Sequence, residues 1–128
     1  MRRQQQLLLD THVFLWWRTR DHRLDRQARD AIIEAQQVFV SAASAWEAGI
    51  KAALGRLRIP ESMEAGVLDS GFTPLAITFA HAEAAALLPP HHGDHFDRLL
   101  IAQAIYEGLT LVSHDERLKP YRVPMIWT

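Results

Sequence analysis

Short apolar runs take turns along this chain with longer segments whose apolar residues recur every three or four positions, the signature of strands alternating with helices. Leu7-Leu8-Leu9 is fully apolar and flanked by polar residues, which predicts a strand buried on both faces of a parallel sheet and ending at Asp10. Thr11 to Trp17 then reads as a short helix, and Leu24, Ala28, Ala31, Ile32 and Ala35 repeat at helical spacing up to Gln36. Val38-Phe39-Val40 predicts a second strand, followed by a strongly buried helix from about Ala45 to Leu57. Pro60 suits a first helical turn and predicts a short helix to about Leu68, broken by Asp69-Ser70-Gly71. A strand is expected at Leu75–Thr78, a helix from Phe79 to Leu88 and a stop at Pro89-Pro90. After the polar run His91-His92-Gly93-Asp94-His95 a helix is expected from Phe96 to Glu107, capped by Gly108. Leu109–Val112 predicts another strand and Met125-Ile126-Trp127 an edge strand.

No hairpin signal separates these strands, so the crossovers are helical and the class is α/β: three layers, α/β/α, around a central, mostly parallel sheet of four to five strands. With 128 residues and no linker or repeat, residues 1–128 are expected to form one domain. Fourteen Lys and Arg against 15 Asp and Glu leave a net charge of −1, so nucleic-acid contact would have to be local. Cysteine is absent, which excludes disulfides, thiol nucleophiles and Cys-ligated metals. The basic start Met1-Arg2-Arg3 meets only three apolar residues before Asp10, unlike an export signal, and no stretch approaches the ~20 apolar residues of a membrane span. The cytoplasm is the expected location.

In parallel sheets the working site lies beyond the carboxyl ends of the strands. Asp10 directly follows the first strand and Asp115 lies just beyond the Leu109–Val112 strand, while Glu47 falls in the first turns of the helix after Val38–Val40. Asp97, near the start of its helix, reaches the same rim only if a loop carries it there. Two carboxylates within ~4 Å repel by about 4 kcal/mol at an effective dielectric of 20, so such a cluster protonates, spreads or binds cations. Hard oxygen donors suit Mg²⁺ or Mn²⁺, and such an ion can activate water and stabilise charge on a transferring phosphoryl group. Each acid also has a purely structural reading. Ser44-Ala45-Trp46-Glu47 matches a capping box and Glu47 precedes Lys51 by four; Asp94 and Asp97 suit a helix start; Asp115 suits a turn.

Four segments together resemble the PIN-domain ribonucleases, and specifically the VapC-type toxins of bacterial toxin–antitoxin pairs. They are Leu7-Leu8-Leu9-Asp10-Thr11-His12; Ser41 to Glu47 with Ile50-Lys51 and Leu54-Gly55; His92 to Ala104; and Gly108 to Asp115. The resemblance implies a PIN-like fold, an Mg²⁺- or Mn²⁺-dependent endoribonuclease, a metal site of Asp10, Glu47 and Asp97 with Asp115 as a fourth acid, a cognate antitoxin and a homodimer. It also makes Thr11 a secondary candidate for substrate contact; Arg98 is a further one on its adjacency to Asp97. The chain departs from the common family pattern at Gly93 and His95, where a basic residue and a proline are expected, and carries His114 where arginine is frequent.

Other chemistries fare less well. His91, His92, Asp94 and His95 evoke a zinc cluster, but their spacing misses the H-x-H-x-D-H pattern by one residue and H-E-x-x-H is absent. A nucleophile elbow, a phosphate loop and a dinucleotide fingerprint are also missing. Arg18, Arg20, Arg23 and Arg26 form the densest basic group, and Arg56 with Arg58 another. Trp16 and Trp17 suit core packing better than base stacking. The alternatives to an endoribonuclease are a non-catalytic protein-binding module of the same fold and a small-molecule phosphohydrolase.

Overall fold

The computed structural model describes residues 5–128; the basic start from Met1 to Gln4, set against an export signal on its sequence, lies outside the described residues. The elements run β1 (Gln6–Leu9), α1 (Thr11–Thr19), α2 (Arg26–Glu34), β2 (Gln37–Ser41), α3 (Ala42–Ala53), α4 (Met63–Asp69), β3 (Thr73–Leu75), α5 (Phe79–Ala86), α6 (His95–Glu107), β4 (Thr110–Ser113) and β5 (Met125–Trp127), with a 3₁₀ turn at Glu116–Leu118. The strands form one all-parallel sheet in the order β3-β2-β1-β4-β5. This is the three-layer α/β/α arrangement that the strand–helix alternation implies.

Side chains of a strand alternate between faces, and the core divides accordingly. Leu7, Leu9, Val38 and Val40 pack with Phe14, Ile32 and Val67 from α1, α2 and α4. Leu8 and Leu111 pack with Leu100, Ile101 and Ala104 of α6. Leu7, Leu8 and Leu9 are all fully buried, as a central strand covered by helices on both sides requires. Helix α3 supplies Ala48 to the first cluster and Ala43 to the second, so it spans the carboxyl edge of the sheet.

Several expected boundaries move, among them those of the helix expected from about Ala45 to Leu57, which runs from Ala42 to Ala53. The helix expected to open at Pro60 starts at Met63, because the Ser62 hydroxyl accepts the Ala65 N–H at 3.1 Å and takes the cap position. The strand expected at Leu75–Thr78 lies instead at Thr73–Leu75. Its partner β2 ends at Ser41, opposite Leu75, where the chain turns into α3, so a longer strand has nothing to pair with. Pro74 is tolerated because β3 is an edge. The capping box suggested by Ser44 and Glu47 does not form: Ser41 caps α3 through the Ala43 N–H, and Ser44 and Glu47 both lie inside the helix, buried. At Gly71 and Gly108 the backbone takes φ of 74° and 68°, values that suit glycine and end α4 and α6.

Strand β1 has β2 on one side and β4 on the other, and the connections leaving β1 and β4 diverge at their carboxyl ends. That divergence opens a crevice at the sheet edge. Asp10 and Asp115 emerge there.

Candidate active site

Asp10 ends β1 and caps α1. Its Oδ1 accepts the Val13 N–H at 2.8 Å, while Oδ2 accepts the Ser113 hydroxyl at 2.8 Å and lies 3.2 Å from His114 Nδ1. Only 4% of the residue is exposed. The next residue, Thr11, donates its hydroxyl to Glu47 Oε1 at 2.5 Å and sits 3.0 Å from the Ser44 hydroxyl. Helices α1 and α3 are therefore tied together by a buried polar contact, and Glu47 is aimed at the rim with its other oxygen 2.9 Å from Lys51 Nζ.

Asp97 arrives on the first turn of α6, where the Asp94 carboxylate caps the helix by accepting the Asp97 N–H at 3.0 Å. Its Oδ2 lies 3.0 Å from His92 Nε2. Asp115 caps the 3₁₀ turn after β4 and pairs with Arg117 at 2.7 Å. Asp10, Glu47, Asp94, Asp97 and Asp115 line one concavity of about 100 Å³ together with Thr11, His12, Lys51, His114 and Arg117. Four separate elements thus deliver their acids to one crevice. Two of these acids also meet a histidine outside the lining: His92, Asp97 and Asp115 each offer a donor atom within 4.8 Å of the others.

Five carboxylates against Lys51 and Arg117 leave the pocket with excess negative charge, and the acids accommodate it differently. Burial, reinforced by the charges of Asp94, Asp10 and Glu47 and opposed by the His92 hydrogen bond, pushes the Asp97 carboxyl up to about 6. The Arg117 guanidinium holds the Asp115 carboxyl down, at about 2. The hydrogen bond to Asp10 raises His114, whereas burial lowers the neighbouring His12, helped by Lys51. The donor set fits a hard divalent cation: carboxylate oxygens in excess of their local cations, around a space large enough for an ion and waters.

The two substrate-contact candidates differ in place. Arg98, considered because it follows Asp97, turns away from the pocket and binds the carbonyls of Ala85, Leu88 and Pro89 at 2.9–3.0 Å, closing the end of α5. Thr11 lines the pocket but is only 2% exposed, its hydroxyl donated to Glu47. His91 stacks edge-on against Tyr121 and His95 is exposed. Sequence reasoning missed His92 as a neighbour of the acids. In the sequence it figured only in the discounted zinc cluster with His91, Asp94 and His95 and at the start of a resembling segment, on a loop whose path no periodicity sets. It also missed His12, which bridges this pocket to a larger concavity of about 540 Å³ lined by Trp16, Arg18, Arg23, Arg56 and Arg58 among others. Trp16 is 8% exposed and packs in the core, as its apolar setting predicts.

The fold is a parallel α/β/α sandwich with carboxylates gathered at the sheet's switch point, and the PIN domain family model matches residues 7–123. The chain belongs to the PIN domain family. It is 34% identical over 125 residues to Ribonuclease VapC22 of Mycobacterium tuberculosis, an alignment covering 92% of this chain and 93% of that protein. Solved structures of similar fold include VapBC2 of Rickettsia felis bound to a DNA fragment of its promoter (TM-score 0.71, 12% identity, 96% of this chain and 98% of that one). A toxin–antitoxin complex from Klebsiella pneumoniae is also similar (TM-score 0.66, 17% identity, 94% and 95%). FitAcB of Neisseria gonorrhoeae matches at a TM-score of 0.64, with 16% identity over 94% of this chain and 96% of that one.

Proposed function

We propose that this chain is a divalent-metal-dependent endoribonuclease acting as the toxin of a toxin–antitoxin pair. The observation that carries the reading is the delivery of Asp10, Glu47, Asp97 and Asp115 from four elements to one small pocket, in a chain one-third identical to a ribonuclease over nearly its whole length. Those four acids would hold Mg²⁺ or Mn²⁺. When bound, such an ion supplies Lewis acidity toward the scissile phosphate and lowers the pKa of water. The chain's own residues do the rest. Ser113, His114 and the Val13 N–H orient the Asp10 carboxylate; Thr11 and Lys51 orient Glu47; the Asp94 cap fixes the first turn of α6, on which Asp97 stands. Arg56 and Arg58, exposed on the rim of the adjoining concavity and without a carboxylate partner among the described residues, supply the local positive charge that RNA phosphates need.

The partners follow the same reading: a cognate antitoxin, and a second copy of the chain. An exposed apolar stripe of Trp46, Ile50 and Leu54 along α3, with Phe96 of α6 against Trp46, supports the homodimer. An RNA substrate places the action in the cytoplasm; no helix among the described residues is long and apolar enough to cross a membrane.

The test is sequencing of cellular RNA 5′ ends after brief induction, beside an Asp10→Asn control. Discrete new ends are expected with the wild-type chain and none with the folded variant. Cleavage at the wild-type rate by folded Asp10→Asn would refute the assignment.

A further inference from the structure

Two acids of the pocket, Asp97 and Asp115, have beside them a nitrogen donor that an all-carboxylate site lacks. His92 Nε2 lies 3.0 Å from Asp97 Oδ2 and 3.9 Å from Asp115 Oδ2, and the three donor atoms all fall within 4.8 Å of one another. Two ligands at neighbouring corners of an octahedron with arms near 2.1 Å are about 3.0 Å apart, so the imidazole and Asp97 already stand at the spacing of two ligands on one ion. The His92 side chain is 9% exposed, so this nitrogen is presented from inside the protein.

Its backbone is held as firmly as those of the acids. The His92 N–H donates to the Tyr121 hydroxyl at 3.0 Å, and that hydroxyl donates to the Pro89 carbonyl at 3.0 Å. Arg98 donates to the same carbonyl and lies 3.3 Å from the same hydroxyl. A loop that begins Pro89-Pro90 is thereby locked over the start of α6. Arg98 and Tyr121 are positioning residues for this imidazole.

Imidazole nitrogen favours first-row transition cations, whereas Mg²⁺ keeps to oxygen ligands and water. We infer that His92 is a nitrogen ligand of the divalent site, together with Asp97 and Asp115, and that it turns the pocket's preference from Mg²⁺ toward transition cations such as Mn²⁺. The inference rests on the proposed metal site, and the experiment separates the two.

The test uses the full-length protein loaded with Mn²⁺ and reads pulsed electron paramagnetic resonance. Modulation from ¹⁴N is expected for the wild type, changed to the ¹⁵N frequency when the histidines are ¹⁵N-labelled. It is expected to vanish in His92→Gln and to persist in His114→Gln. Thermal-shift titration should show His92→Gln binding Mn²⁺ at least about tenfold more weakly, with a smaller change for Mg²⁺. Bound Mn²⁺ without nitrogen modulation overturns the His92 assignment and leaves the acidic site standing. Modulation that survives in His92→Gln overturns it too. Failure of the wild type to bind Mn²⁺ at all overturns both. The labelled wild type decides the presence of a histidine ligand even if the His92 variant fails to fold.

Discussion

The two concavities that share His12 differ about fivefold in volume, roughly 540 against 100 Å³, and differ more in how their charges are matched. In the larger one Arg18 is gripped by Glu61 at 2.7 and 2.8 Å with Asp69 at 3.1 Å, and Arg23 pairs with Asp21 while lying over the Trp16 ring. These pairs build a wall. In the smaller one the acids outnumber their cations, and Asp97 is pushed toward its protonated form by burial and by like charge. Volume marks where something fits, whereas buried unmatched charge marks where the chain holds an arrangement that is costly without a ligand; the unpaired Arg56 and Arg58 of the larger concavity are exposed, so water solvates them.

The largest effect should come from the small pocket. Asp10→Asn is expected to cut RNA cleavage at least about a thousandfold, with unchanged circular dichroism. Residual cleavage near the wild-type level would remove the contrast between the two concavities.

Proton competition at Asp97 comes next. Its carboxyl titrates near 6 in the folded chain against 3.8 unfolded, so its contribution to stability is fully present below about pH 3.8 and is lost as pH rises through about 6. In chelator the melting temperature of the wild type should therefore fall, relative to Asp97→Asn, between pH 4 and pH 7. Metal binding runs the other way. A ligand that must be deprotonated costs about tenfold in Mn²⁺ affinity for each pH unit below about 6, which isothermal titration would measure.

Smaller effects belong to the large concavity. Arg56→Ala with Arg58→Ala should raise the KM for RNA severalfold and make the log–log salt slope of binding shallower by ~0.7 for each phosphate no longer neutralised. The smallest change in catalysis is expected from Arg18→Ala. It should lower the melting temperature by a few degrees, because Glu61 and Asp69 are left without their shared guanidinium, with kcat unchanged. A large drop in kcat there would show that the wall takes part in the chemistry.

Much of this was legible along the chain because strand and helix periods are local properties. Leu7-Leu8-Leu9 announced the central strand, and Ser113-His114-Asp115 the end of β4. The failures were also local in kind. A serine three residues before Glu47 looked like a cap, but a different serine, Ser41, took that position and left Ser44 buried beside Thr11. A proline looked like a helix start, but Ser62 offered the better partner for the free N–H groups.

The places of Asp10 and Asp115 just beyond strands, and of Glu47 early in the helix after a strand, came from the sequence alone, since a buried apolar run must end at the sheet edge; the approach of Asp97 to that edge did not. Which of the acids stand beside His92, and that Arg98 binds the carbonyls at the end of α5, depended on the path of the loop from Leu87 to Asp94 and its anchor on Tyr121. Pairings across about thirty residues, such as that between His92 and Tyr121, are made only when the whole sheet brings its edges together, and no local periodicity encodes them.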